Sequence, residues 1–354
     1  ISDFTPAEQL AITNSRVDGL EARLNNIEAG SFSETTTASF SVDFAIGAVD
    51  GAGLQGNNGD PNGAVKVTDG DEDLQASYGF QIDLNTSFTG EDSLDISLDA
   101  GNANGSLAEF DLNGPAEALT VDGVSYTFPL GDKTTVIVGD NTDGSALFTT
   151  ACAYGGPSNT MDDCANVNAG ITNGGAMIGA AYDFGSGVTA AVGYAGDETG
   201  LMTEEGIDAY GANIAYTADN YGVSLTYGVL ETATNENNYT ALNGYYTFDS
   251  GISVSAGYET GDIGGAVAAQ DETVAYFFGI NGEVGPGELG ASFGTNGSMT
   301  EAAGTITEEL MYEAYYSYPV NDGMTITPLI YVKEAATVGD PDQTGIMVKT
   351  SFSF

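Results

Sequence analysis

The chain has 354 residues, with 51 Asp and Glu against six Lys and Arg, no His, no Trp and a formal net charge of −45. Nucleic acid is excluded as a partner, because its phosphates would be repelled and no basic patch exists to release counterions; electrostatic attraction to an anionic membrane surface is excluded likewise. Without His the Ser–His and Asp–His dyads of hydrolases cannot be built, and no Gly-rich loop ends in Lys-Ser or Lys-Thr to cradle a nucleotide, so no enzyme is expected.

The spacing predicts a helix over 6–28. Thr5 caps it, Pro6 suits its first position and Glu8 completes a capping box. Leu10, Thr13, Val17, Leu20, Leu24 and Ile27 follow in steps of three and four, the seam of a coiled coil. Arg16-Val17-Asp18-Gly19-Leu20-Glu21 and Arg23-Leu24-Asn25-Asn26-Ile27-Glu28 both have the Arg-apolar-x-x-apolar-Glu spacing of short trimeric coils. A lone helix of this length is marginal in water, so residues 1–30 read as a trimerising segment. The alternative is a helix lying against the end of the next domain.

From Thr36 the period changes to two. Ala38, Phe40, Val42, Phe44 and Ile46 alternate with Ser39, Ser41 and Asp43, and the rhythm returns at Tyr78–Leu84 and Leu94–Leu98. Further strands are expected near 118–128, 133–140, 174–184, 187–195, 207–217, 220–230, 239–248, 251–259, 272–281, 287–294, 308–318, 323–333 and 345–354. Short turns at 184–187, 218–220, 249–251, 284–287 and 321–323 alternate with long loops at 49–73, 101–117, 141–173, 196–206, 231–238, 260–271, 295–307 and 334–344.

No stretch reaches the roughly 20 consecutive apolar residues of a membrane helix, but strands of about ten residues with alternating faces cross an outer membrane when tilted. The fold class expected for residues 31–354 is therefore an all-β transmembrane antiparallel barrel of about sixteen strands, joined to the short N-terminal coiled-coil helix. An even number leaves helix and both termini on one side, the periplasmic one. Tyr126, Phe128, Tyr182, Phe184, Tyr216, Tyr246, Phe248, Tyr316 and Tyr318 gather beside the short turns, as in a girdle at lipid headgroup depth, and the chain ends on Phe354. Membrane lipid and lipopolysaccharide are the surroundings this implies. Ile1 opens the chain without a Met, which reads as a processed or trimmed product.

Inward positions on this register include Asp43, Asp83, Asp95, Asp99, Asp183 and Glu313, and carboxylates in a narrow aqueous channel favour cations. The alternative is that most of the acids sit in external loops. Cys152 and Cys164, in a polar loop, read as a disulfide, since two thiols without His make a poor metal site. Asp69, Asp71 and Asp73 in the run 69–73 offer hard oxygen ligands for Ca²⁺ or Mg²⁺, though solvated charge explains such a run as well. No other cofactor is expected.

The phrase Asp3-Phe4-Thr5-Pro6-Ala7-Glu8, the run from Arg16 to Arg23, Phe32-Ser33, Val124-Ser125-Tyr126-Thr127-Phe128-Pro129 and the terminal Phe resemble the cyanobacterial porins with a carbohydrate-selective-porin-like barrel. The specific wording is confined to about the first 40 residues; the architecture covers the chain. The resemblance implies a homotrimer giving passive diffusion of ions and small solutes. It also implies a surface-layer-homology domain ahead of the coil as a cell-wall tether, absent from this sequence. Sugar selectivity is not implied, because the barrel lacks Trp and almost lacks Arg. By position, loop 141–173 is similar to the porin loop after the fifth strand that folds inward, with Asp140, Asp143, Asp162 and Asp163 as constriction candidates. The alternatives are an external loop stapled against proteases and, for the whole protein, a structural or adhesive surface barrel with a plugged lumen.

Overall fold

The computed structural model describes residues 36–51, 74–102, 105–110, 112, 117–172, 174–203, 206–232, 234–266, 271–302, 305–335 and 342–354. The expected helix with Arg16, Val17, Leu20, Glu21, Arg23, Leu24, Ile27 and Glu28 lies outside the described residues, as does the acidic run with Asp69, Asp71 and Asp73.

Alternating hydropathy drives one antiparallel sheet. Its strands are β1 (Thr36–Asp50), β2 (Gln75–Thr86), β3 (Ser93–Gly101), β4 (Thr120–Pro129), β5 (Thr134–Asp140), β6 (Ala176–Gly185), β7 (Val188–Gly196), β8 (Asp208–Thr217) and β9 (Tyr221–Glu231). There follow β10 (Glu236–Thr247), β11 (Ser253–Ile263), β12 (Glu272–Val284), β13 (Gly287–Thr295), β14 (Met299–Ala302), β15 (Thr305–Ile306), β16 (Leu310–Asn321), β17 (Met324–Lys333) and β18 (Gln343–Ser353). Strands β14 and β15 form a small hairpin, and β13 pairs directly with β16. The other sixteen strands close when β18 pairs with β1 from Ser41↔Ser353 to Asp50↔Thr344. Closure removes the unpaired edges that an open sheet would expose.

The two faces separate as the period of two requires. Outward residues include Phe44, Ile178, Val192, Ile214, Leu225, Leu242, Phe278, Ile330 and Ile346, all exposed. Inward residues Asn213, Ser224, Thr226, Asn243, Ser255 and Glu259 are buried, because something inside the barrel covers them. At the short turns the girdle rings meet in pairs: Tyr126 with Phe128 at 5.5 Å, Tyr182 with Phe184 at 4.7 Å and Tyr246 with Phe248 at 4.9 Å between centroids. The turn between β2 and β3 is pinned by Asp92, which accepts hydrogen bonds from the Ser87 and Thr89 hydroxyls, the Phe88 and Thr89 N–H groups and the Tyr126 hydroxyl. These donors, Tyr126 foremost, hold its carboxyl well below the usual carboxylate range.

Three departures from the sequence reading have local causes. The loop expected at 295–307 contains the hairpin β14–β15, docked on β12 through Thr273↔Thr300. Residues 105–110 form a short 3-10 helix of six residues. Leu107 and Phe110 on that helix are fully buried, so this segment, read as an external loop, turns into the barrel and packs on β1, β2 and β18. Burying two such side chains contributes roughly 1.5–3 kcal/mol each, which drives the inward turn.

Candidate pore and constriction

The loop from Asn141 to Gly175 runs along the inner wall, with the Cys152–Cys164 disulfide within it. Its backbone supplies the donors and the wall supplies short polar side chains. Thr149 N–H donates to Asn213 Oδ1 (3.0 Å), Ala151 N–H to Ser224 Oγ (2.8 Å) and Ala153 N–H to Ser255 Oγ (2.9 Å), stepping across β8, β9 and β11. Asn243 Nδ2 on β10 donates to Cys164 O at 2.7 Å. Glu259 on β11 accepts from Asn168 N–H (2.8 Å), Ala169 N–H (2.8 Å) and Asn168 Nδ2 (2.9 Å). The Tyr154 hydroxyl donates to Glu313 Oε1 on β16 at 2.5 Å.

Small wall residues allow this close approach. A Cβ on Gly193 would stand 2.0 Å from Gly144 O, and one on Gly257 would stand 1.8 Å from Cys164 O. The loop and the 105–112 segment then meet over a dry patch inside the barrel. Leu107, Phe110, Leu112, Tyr154, Met161, Phe277, Met311, Tyr315, Leu329, Tyr331 and Met347 form one buried cluster there. These lumenal aromatics were not anticipated from the sequence.

The wall of β2, β3 and β4 is different, and carries the acids. Asp83 accepts from Gln81 Nε2 (2.8 Å) and Ser97 Oγ (2.7 Å), Asp95 from Asn85 Nδ2 (2.5 Å) and Ser93 Oγ (2.7 Å), and Asp99 from Thr120 Oγ1 (2.6 Å). The register pairs Ser39 with Asp83, Gln81 with Asp99 and Asn85 with Asp95, all on the inner face that Asp43 shares through Asp43↔Gly79. Asp122 was missed because it sits at an irregularity, where Ser97 pairs with Gly123 but Leu98 pairs with Val121, and a simple alternation does not foresee the extra residue. With Asp95, Ser97, Ser125, Asn141 and Asp143 it lines a cavity of about 300 Å³.

The remaining candidates divide. Asp183 lies on the inner parity near the end of β6, accepting Gly185 N–H at 2.7 Å. Glu313 faces inward but is buried beneath Tyr154. Asp140 pairs with Val124, so it has the outer parity of Val138 and stands exposed at the end of β5 that leads into the long loop. Asp143 and Asp162 are exposed on the inserted loop, and Asp163 is half-buried, accepting Ala165 N–H at 2.9 Å. Partial desolvation by the surrounding loop and wall raises the Asp143 carboxyl although its surface reaches water, with Asp122 adding to it. Burial, then Asp162, push Asp163 up to about 7.

Asp163 therefore carries its charge only above about pH 7. Raising the pH from 6 to 8 is expected to release a proton from the inserted loop, and Asp163→Asn is expected to abolish that step, read as the difference between the two proteins' proton-release titrations. The stability sign follows from the upward shift. Ionisation is resisted in the fold, so wild type loses stability relative to Asp163→Asn as pH rises from 3.8 through about 7.

Among the described residues no group of three or more His, Cys, Asp or Glu side chains is arranged to hold a metal ion. The described lysines on the inner parity are Lys133, opposite Asp183 at the short turn, and Lys333 and Lys349. Lys333 is ion-paired with Glu109, and Lys349 Nζ donates to Phe110 O at 3.4 Å.

No protein-family model matches the chain. An uncharacterized protein of Nostoc sp., alr4550, is 38% identical over 97 residues, which are 27% of this chain and 14% of that protein. The match thus spans about a seventh of the length of that curated relative. Among solved structures, Pseudomonas putida OprB aligns over 90% of this chain and 94% of its own, with TM-score 0.64 and 10% identity. A mutant of Rh. blastica porin aligns over 90% and 100%, with TM-score 0.60 and 15% identity. The fold of this chain is thus the closed sixteen-stranded barrel that these porins share.

Proposed function

We propose that this chain is an outer-membrane porin-type diffusion channel passing ions and small hydrophilic solutes through an acidic, cation-preferring pore. One observation carries the reading. The barrel is apolar outside, while its uncovered inner wall presents Asp43, Asp83, Asp95, Asp99 and Asp122, and Lys333 and Lys349 are engaged. Fixed carboxylates in a narrow aqueous passage concentrate cations and repel anions. The inserted loop is the constriction in this reading, with Asp143, Asp162 and Asp163 facing or bordering the passage.

The short turns then face the periplasm, as do the start of β1 and the end of β18, which are joined where Phe40 N–H donates to Phe354 O at 2.9 Å. Three copies associate through Arg16, Val17, Leu20, Glu21, Arg23, Leu24, Ile27 and Glu28. A cell-wall tether ahead of the coil, and Ca²⁺ or Mg²⁺ at Asp69, Asp71 and Asp73, complete the proposal.

The dry cluster of Phe110, Tyr154, Tyr315 and Tyr331 favours one other reading, a surface barrel plugged by its own loops. Planar-bilayer recording under a KCl gradient separates the two. Stepwise conductance with a cation-selective reversal potential is the expected result; anion preference defeats the acidic pore, and absence of conductance supports the plug.

A further inference from the structure

Glu109 joins three distant parts of the chain. Its carbonyl accepts Asn159 N–H at 2.9 Å, its Oε1 accepts Thr160 N–H at 3.2 Å, and its other oxygen pairs with Lys333 Nζ at the end of β17. Lys333 closes the ring by donating to Thr160 Oγ1 at 3.0 Å. The Glu109 and Lys333 side chains are 9% and 16% exposed, so both heads are held under cover. On the neighbouring wall Glu313 is already engaged by the Tyr154 hydroxyl, which leaves Glu109 as the carboxylate salt-bridged to Lys333 among the described residues.

We propose that Glu109 is a specificity-determining residue: it withdraws the Lys333 charge from the lumen and so protects the cation preference of the passage. The inference rests on the cation-preferring reading given above. A paired carboxylate and ammonium present little net field to a passing ion. An unpaired ammonium inside a narrow channel repels cations, and walls of low dielectric leave it poorly screened. The geometry lets charge be changed with little change of shape. Leu107 and Phe110 anchor the short helix on either side of Glu109, the Asn159 bond uses its backbone carbonyl, and a glutamine Oε1 can still accept Thr160 N–H. Lys349, tied to the Phe110 carbonyl and lying 5.7 Å from that ring's centroid, is unaffected by the exchange.

The test is the reversal potential of purified full-length protein in planar bilayers under a KCl gradient. Glu109→Gln is expected to lower the cation-to-anion permeability ratio severalfold, Lys333→Met to raise it, and the double variant to return it to the wild-type value. An unchanged ratio in Glu109→Gln, or an equal shift in Glu109→Gln and the double variant, overturns the proposal, because packing rather than charge would then be responsible. If Glu109→Gln fails to reach the folded, heat-modifiable form, Lys333→Met and the double variant decide alone. A wild-type ratio in Lys333→Met overturns the proposal, and a raised ratio that the double variant restores supports it. A wild-type protein that does not conduct, or prefers anions, overturns both this proposal and the reading beneath it. A cation-selective wild type with unresponsive variants overturns this proposal only.

Discussion

Gly257→Ala is expected to unseat the constriction loop, raising single-channel conductance severalfold and weakening ion discrimination. The alanine Cβ would stand 1.8 Å from Cys164 O and 2.6 Å from Asn243 Nδ2, whereas ordinary van der Waals contact begins at 3.4 Å. The first clash is with backbone, and Cys164 is fully buried within a disulfide-closed segment, so a rotamer change cannot relieve it. The loop must leave the wall, and the 2.7 Å bond from Asn243 Nδ2 to Cys164 O is lost with it. Overpacking of this kind costs about 1–3 kcal/mol, and the orphaned amide adds about 1–3 kcal/mol more. The barrel itself should persist, because its ladder bonds on β10, β11 and β12 do not involve the loop. Gly244→Ala, whose Cβ meets only Gly222 O at 3.3 Å, is the control expected to conduct as wild type. Equal conductance in Gly257→Ala and wild type would show that the loop does not set the bore.

Much of this architecture is legible in the residues because a membrane barrel obeys one strong constraint. Every strand must present apolar side chains outward, so the alternation from Ala38 to Ile46 states both the strand and its faces. Asp43, Asp83, Asp95, Asp99 and Glu313 fall on the inner face for that reason. The same parity applied to β5 would have set Asp140 with Val136 and Val138 on the outer face, but its position at a loop boundary drew it into the constriction set. Glu259 was equally readable: it alternates with Tyr258 and lies on the parity of Ser255 and Gly257. What hides it is that its role belongs to backbone N–H groups about 90 residues away, and hydropathy carries no record of such a partner. The inward turn of residues 105–112 is hidden likewise. Leu107 and Phe110 in a loop look like ordinary exposed apolar residues until the wall of β1 and β18 is present to bury them.

Glu259→Leu is expected to release the far end of the same loop by a different route, electrostatic rather than steric. The carboxylate is 1% exposed and satisfies two backbone N–H groups and one side-chain amide, each at 2.8–2.9 Å. Leucine fills similar volume but accepts nothing, so three donors lose their partner where water has little access. Each buried unsatisfied group costs about 1–3 kcal/mol, so the Asn166–Ala169 segment is expected to move out to hydrate its donors. Limited proteolysis is expected to cut Glu259→Leu within the loop while the barrel stays intact, and channel recordings should show noisier, larger openings. Glu259→Gln keeps one acceptor oxygen but points an amide at donors, so it should fall between wild type and leucine in both measurements. Combining Gly257→Ala with Glu259→Leu tests whether one event underlies both. Residues that seat the same segment share its loss, so the double variant should conduct little more than the larger single effect. Additive conductance changes would mean that the two halves of the loop move independently.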